Sequence, residues 1–139
     1  MLPVFRRAAA CIFFLAILAS YLPAIPADDE LAHLRIEKQK AGPATVLEHH
    51  ASPGGKYWYA TETHPQAGTP VFDTTVYINN GHDYLLKVPL EGHAREWGVT
   101  AKWKSAKLLL LQVEWGHVVA YEYVIDVAAG KQISARKME

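Results

Sequence analysis

Cysteine is nearly absent: Cys11 is the only one, and it sits inside an N-terminal apolar run. An internal disulfide is excluded, and so is a multi-cysteine metal site. Charge of one sign is lacking too, with 14 Lys and Arg against 14 Asp and Glu and no basic block. Nucleic acid, whose phosphates demand clustered cations, is therefore not an expected partner. The GxxxxGK[ST] spacing of a phosphate loop is missing. No segment after residue 40 sustains an apolar period of 3.6 residues, which argues against a helical domain.

Residues 1–27, MLPVFRRAAACIFFLAILASYLPAIPA, carry Arg6 and Arg7, then an apolar run over 8–22, then small and proline residues. That three-part layout is expected of a secretory signal peptide, with cleavage after Ala27. The run is shorter than the ~20 residues of a comfortable transmembrane helix. An uncleaved anchor is the alternative. Residues 28–139 then form one domain, exported to the periplasm or outside the cell. It keeps 12 Lys and Arg against 14 Asp and Glu and no cysteine. A chain of this size can bury enough apolar surface to fold without a disulfide.

What is present is β-structure. Gly, Pro and Asn cut the chain into short pieces rich in Val, Ile, Tyr, Trp and Thr, which reads as strands. They are expected near 45–50, 56–63, 73–78, 83–88, 97–103, 107–114, 118–127 and 132–136. An element of ambiguous type precedes them near 31–38. The fold class is all-β, an antiparallel meander stacked as a small sandwich or curled into a partly open barrel. Asn80-Gly81 lies between two β-rich runs and predicts a tight type I′ hairpin. For LLLLQVEWGHVVAYEYV, a three-residue loop at 115–117 gathers Leu109, Leu111, Val113, Val119, Tyr121 and Tyr123 on one face. The polar Gln112, Glu114 and Glu122 share the other, so 109–123 should line the core.

Two turns carry a resemblance. Ser52-Pro53-Gly54-Gly55-Lys56 resembles the Ser-Pro-Asp-Gly-Lys turn of bacterial β-propeller repeats of the TolB-like kind. Trp103, Ser105, Lys107 and Leu108 are similar to the Trp-Ser-x-Asp-x-Lys-x-Leu form of that turn, and Asp126 before Gly130-Lys131 to a blade's closing hairpin. Gly54 and Ala106 stand where the repeats have Asp, and the chain is too short for a closed propeller of at least about four blades. The resemblance therefore implies sequential antiparallel strands rather than a ring. The layout is also similar to that of periplasmic lysozyme inhibitors, which implies binding as the class of function, although no stretch matches their inhibitory loop.

Chemistry-bearing residues are sparse. Of seven histidines, His49 and His50 are adjacent on an expected strand and point to opposite faces, while His64, His82, His93 and His117 fall at strand ends or loops. No metal or other cofactor is expected. Ser52, Ser105 and Ser134 sit in turn-like or terminal contexts, and Glu114 and Glu122 are explained by a solvated sheet face. An enzyme is not expected. Tyr57, Trp58 and Tyr59 alternate across a strand, so whichever set is not core is displayed. The candidate ligand-binding residues are Tyr57, Trp58, Tyr59, His64, Trp97 and Trp115, with loops 64–71 and 89–96. They point to a non-catalytic binding module for a protein or a glycan. A metal-binding or hydrolytic envelope protein and a structural envelope protein are the alternatives.

Overall fold

A computed structural model describes residues 28–40, 47–81 and 84–138; the expected export segment, residues 45–46 of the first expected strand and His82 lie outside them. One helical turn, α1 (Asp28–Leu31), precedes β1 (Glu37–Lys40), β2 (His50–Ala51), β3 (Trp58–Pro65), β4 (Phe72–Asn79) and β5 (Tyr84–His93). The chain then passes to β6 (Val99–Trp103), β7 (Leu108–Glu114), β8 (Ala120–Asp126) and β9 (Lys131–Met138). The first five strands form one sheet in the order β1-β5-β4-β3-β2, and the last four form a second in sequence order. Every pairing is antiparallel. The domain is all-β, two sheets that do not close into a barrel.

Alternation decides which side chains meet between the sheets. Along β4 and β5, Val76, Ile78, Leu86, Val88 and Leu90 are fully buried, and Leu109, Leu111, Val113, Tyr123 and Ile125 answer them from β7 and β8. Each such aliphatic side chain taken out of water contributes about 1.5–3 kcal/mol. The four leucines 108–111 cannot share one face. Leu109 and Leu111 therefore point inward, and Leu110 buries instead on the outer face opposite Val124.

The β7–β8 hairpin keeps the expected faces and changes the expected register. Glu114 lies opposite Ala120, and Val113 opposite Tyr121. The loop is thus 115–119 rather than 115–117, closed by bonds from the Trp115 and Gly116 N–H groups to the Val119 carbonyl, 2.8 and 3.2 Å. A slip of two residues preserves side-chain parity, so Leu109, Leu111, Val113, Tyr121 and Tyr123 still face the core. At the β4–β5 connection Asn80-Gly81 does not form the expected type I′ turn. Gly81 has φ of +79° but Asn80 does not enter the positive region. The Asn79 side chain instead accepts a 2.8 Å bond from the Gly81 N–H.

Two irregularities in β5 shape one end of the molecule. The register shifts between Phe72 and Asp73, which face His93 and Glu91, and leaves Gly92 as an extra residue with φ of +80°. Asp73 Oδ1 accepts the Gly92 N–H at 2.8 Å. This bulge inverts the alternation beyond it and turns His93 inward. Pro89 lies in β5 opposite Thr75, so the expected loop 89–96 is strand as far as His93. A proline is accommodated in a strand only where its missing donor faces away from the ladder. On the other side of β5 the ladder with β1 stops at Glu37 and Lys87; two positions further on, Arg35 would face Pro89, which has no N–H to offer.

Candidate functional site

Where the ladder stops, the chain upstream of β1 leaves β5 and becomes a strap, residues 31–36, held by the second sheet. Gln132 clamps it with two bonds, its Oε1 accepting the Leu34 N–H at 2.8 Å and its Nε2 donating to the Ala32 carbonyl at 2.7 Å. The buried Tyr123 hydroxyl donates to the Leu31 carbonyl and accepts the Trp115 indole N–H at 2.8 Å. Burial pushes the Tyr123 phenol up to about 12, so it stays a neutral donor throughout the physiological range.

Between the strap, the free side of β5 and the β7–β8 loop lies a groove of about 660 Å³. Leu31 and Leu34 line it from the strap, Pro89, Glu91 and Gly92 from β5, and Trp115, Gly116 and Val119 from the loop. Arg35 stands on the rim, 3.1 Å from Glu37 and 3.5 Å from Glu91. Glu30 and His33 also line it from the strap side, and Arg35 is paired with Glu37 and Glu91. What the groove offers a ligand is apolar surface with a charged border.

The six candidate residues do not form one surface. Tyr57, just before β3, and Tyr59 within it are core residues, 6% and 9% exposed, turned toward the second sheet. Their expected display is thereby corrected: the Tyr59 hydroxyl is used internally, donating to the Ala101 carbonyl at 2.7 Å. Trp58 takes the outer face and stacks on His49, ring centroids 3.6 Å apart. His64 is exposed on the same face and bonded to Glu62 at 2.9 Å. Trp97 is 70% exposed in the β5–β6 crossover, and Trp115 is half-buried in the groove wall. Of the six, only Trp115 lines the groove.

The strap residues Leu31 and Leu34 were not singled out by sequence. Their only signal was an apolar spacing in a short element of ambiguous type. Glu114 and Glu122 do not act as a pair: Glu114 lies 3.7 Å from Arg95, and Glu122 bonds Arg136 and Gln112 at 3.2 Å each. Ser52 serves its turn, its hydroxyl accepting the Tyr57 N–H at 3.0 Å. Among the described residues no group of three His, Cys, Asp or Glu could hold a metal ion. No helix among them is long and apolar enough to cross a membrane.

Compared with protein-family models, with curated proteins and with solved structures, the chain finds no match.

Proposed function

We propose that this is an exported, non-catalytic binding module whose groove takes an apolar side chain from a segment of a partner protein. The observation that carries the reading is the groove itself, with Leu31, Leu34, Trp115 and Val119 around a space of about 660 Å³. A protein ligand is favoured over a glycan by the bonding already in place. Sugar sites set unpaired donors and acceptors beside an aromatic face, whereas here the Trp115 indole N–H is already bonded to Tyr123 and the lining is mostly apolar, with Glu30 and His33 on the strap side. An apolar anchor needs no unpaired donor or acceptor, and such anchors carry most of the binding energy of protein contacts. Export rests on residues 1–27, whose charged, apolar and small-residue parts follow the signal-peptide layout.

Selection from a displayed random-peptide library on residues 28–139 tests the reading. Enrichment of peptides with one shared aliphatic or aromatic anchor, lost on Leu34→Asp and kept on Trp58→Ala, is the expected result. Binding that survives Leu34→Asp and disappears on Trp58→Ala would move the site to the outer face and overturn the assignment.

A further inference from the structure

His93 has surroundings that the binding role does not use. It is fully buried at the point where the chain leaves the first sheet for the second. Its Nε2 lies 2.7 Å from the Thr74 hydroxyl, which in turn lies 2.7 Å from the Thr63 hydroxyl. Its Nδ1, also buried, completes no hydrogen bond. The Arg95 carbonyl beside it already accepts the Gly98 N–H at 2.8 Å. The space is closed as well: a Cβ on Gly98 would stand 2.9 Å from the Arg95 carbonyl oxygen and 3.2 Å from His93 Nδ1. Phe72 covers the ring from β4 at a centroid distance of 6.2 Å.

We propose that His93 is an acid-released latch of the β5–β6 crossover. A neutral imidazole suits this pocket, with one nitrogen bonded to Thr74 and the other needing no acceptor. An imidazolium carries two N–H donors and a full charge; Thr74 can take one donor, and for the other the Arg95 carbonyl is shared with the Gly98 N–H, so the buried site holds the charged form poorly. The charged groups around it are Asp73 on β4, Glu91 on β5, Arg95 in the crossover and Glu114 on β7. All four are committed: Asp73 Oδ1 to Gly92 and Gln66, Glu91 to Arg35, and Arg95 and Glu114 to one another. Burial lowers the His93 pKa below its ordinary 6.5, against smaller upward pulls from the Arg95 backbone and Asp73.

The sign follows directly. A lowered native pKa gives stability that is complete above about 6.5 and is lost as the pH falls through the window down to the native value. The amides that hold the crossover report the loss. Ala94 donates to the Glu114 carbonyl at 3.1 Å, Gly98 to Arg95 at 2.8 Å, and Glu114 to the Gly98 carbonyl at 2.8 Å. Because Glu91 and Gly92 precede His93 and Trp115 follows Glu114, release would also loosen two walls of the groove. That consequence rests on the proposed binding role, whereas the latch does not.

The test is amide hydrogen exchange on residues 28–139 between pH 7.5 and 5, corrected for intrinsic rates, with NMR titration of the imidazoles. Protection at Ala94, Gly98 and Glu114 is expected to fall by up to about tenfold per pH unit below 6.5. Ser52, whose N–H bonds the Tyr57 carbonyl at the other flank, should hold its protection. The fall should be absent in His93→Gln. If that variant does not fold, the contrast within the wild type between the crossover amides and Ser52 decides. Flat protection in the wild type, an equal fall in His93→Gln, or a His93 titration at or above 6.5 would overturn the latch.

Discussion

The two flanks of the sandwich are closed by different means. On the side of β2, β3 and β6, the sheets are joined directly. The Tyr59 hydroxyl bonds the Ala101 carbonyl at 2.7 Å, the Trp103 indole bonds the His50 carbonyl at 3.0 Å, and the Tyr59 and Trp103 rings lie 5.8 Å apart. On the side of β1 and β9 the sheets are bridged by a strap that belongs to neither ladder, held by Tyr123 and Gln132. Aromatic rings with a polar tip serve both flanks, filling space with the ring and tying backbone with the tip. The first arrangement ties sheet directly to sheet. The second leaves the groove, because a strap anchored at a few points does not fill the space beside it.

The largest effect that would sharpen this contrast is expected from Tyr123→Phe. It leaves the Leu31 carbonyl and the Trp115 indole without their partner, and losses of this kind cost about 1–3 kcal/mol. Urea denaturation of the variant checks it. The wild-type phenol, raised to about 12, adds stability that is complete below 10 and is lost as the pH rises from 10 toward 12. Tyr123→Phe should therefore flatten the alkaline limb of stability against pH. An unchanged limb would mean that the hydroxyl does not hold the strap.

Tyr59→Phe removes a single bond from the other flank and is expected to cost about 0.5–1.5 kcal/mol. A cost equal to that of Tyr123→Phe would erase the distinction between the flanks. Gln132→Ala should cost about 1 kcal/mol, since both strap groups can turn to water. Its signature is faster exchange at the Leu34 amide with Ser52 unchanged. Smallest is Arg35→Ala, whose ion pairs are exposed: the stability change should stay within about 0.5 kcal/mol. A larger loss would make the rim part of the strap's support.

The period of two was legible wherever local sequence sufficed. In β7 and β8 apolar and polar side chains separate so cleanly that the faces follow even with the wrong loop length, because a slip of two residues costs no parity. In Tyr57-Trp58-Tyr59 alternation was equally plain, yet nothing local says which side meets the second sheet. His93 shows the opposite failure. Counting from Leu90 sends it outward, and only the bulge at Gly92, capped by Asp73 from another strand, reverses that. The strap was least legible, because its partners Tyr123 and Gln132 are 92 and 98 residues away from Leu31 and Leu34.

The sequence by itself determined the all-β class, the faces of β7 and β8 and where the main hairpins fall, because alternation and turn-forming residues act between positions that are close along the chain. The tertiary structure alone decided that Tyr57 and Tyr59 face inward, that His93 is buried, and that the chain before β1 becomes a strap beside a groove. Each of those depends on a partner from a distant strand: the second sheet for Tyr59, Asp73 for the bulge, and Tyr123 with Gln132 for the strap.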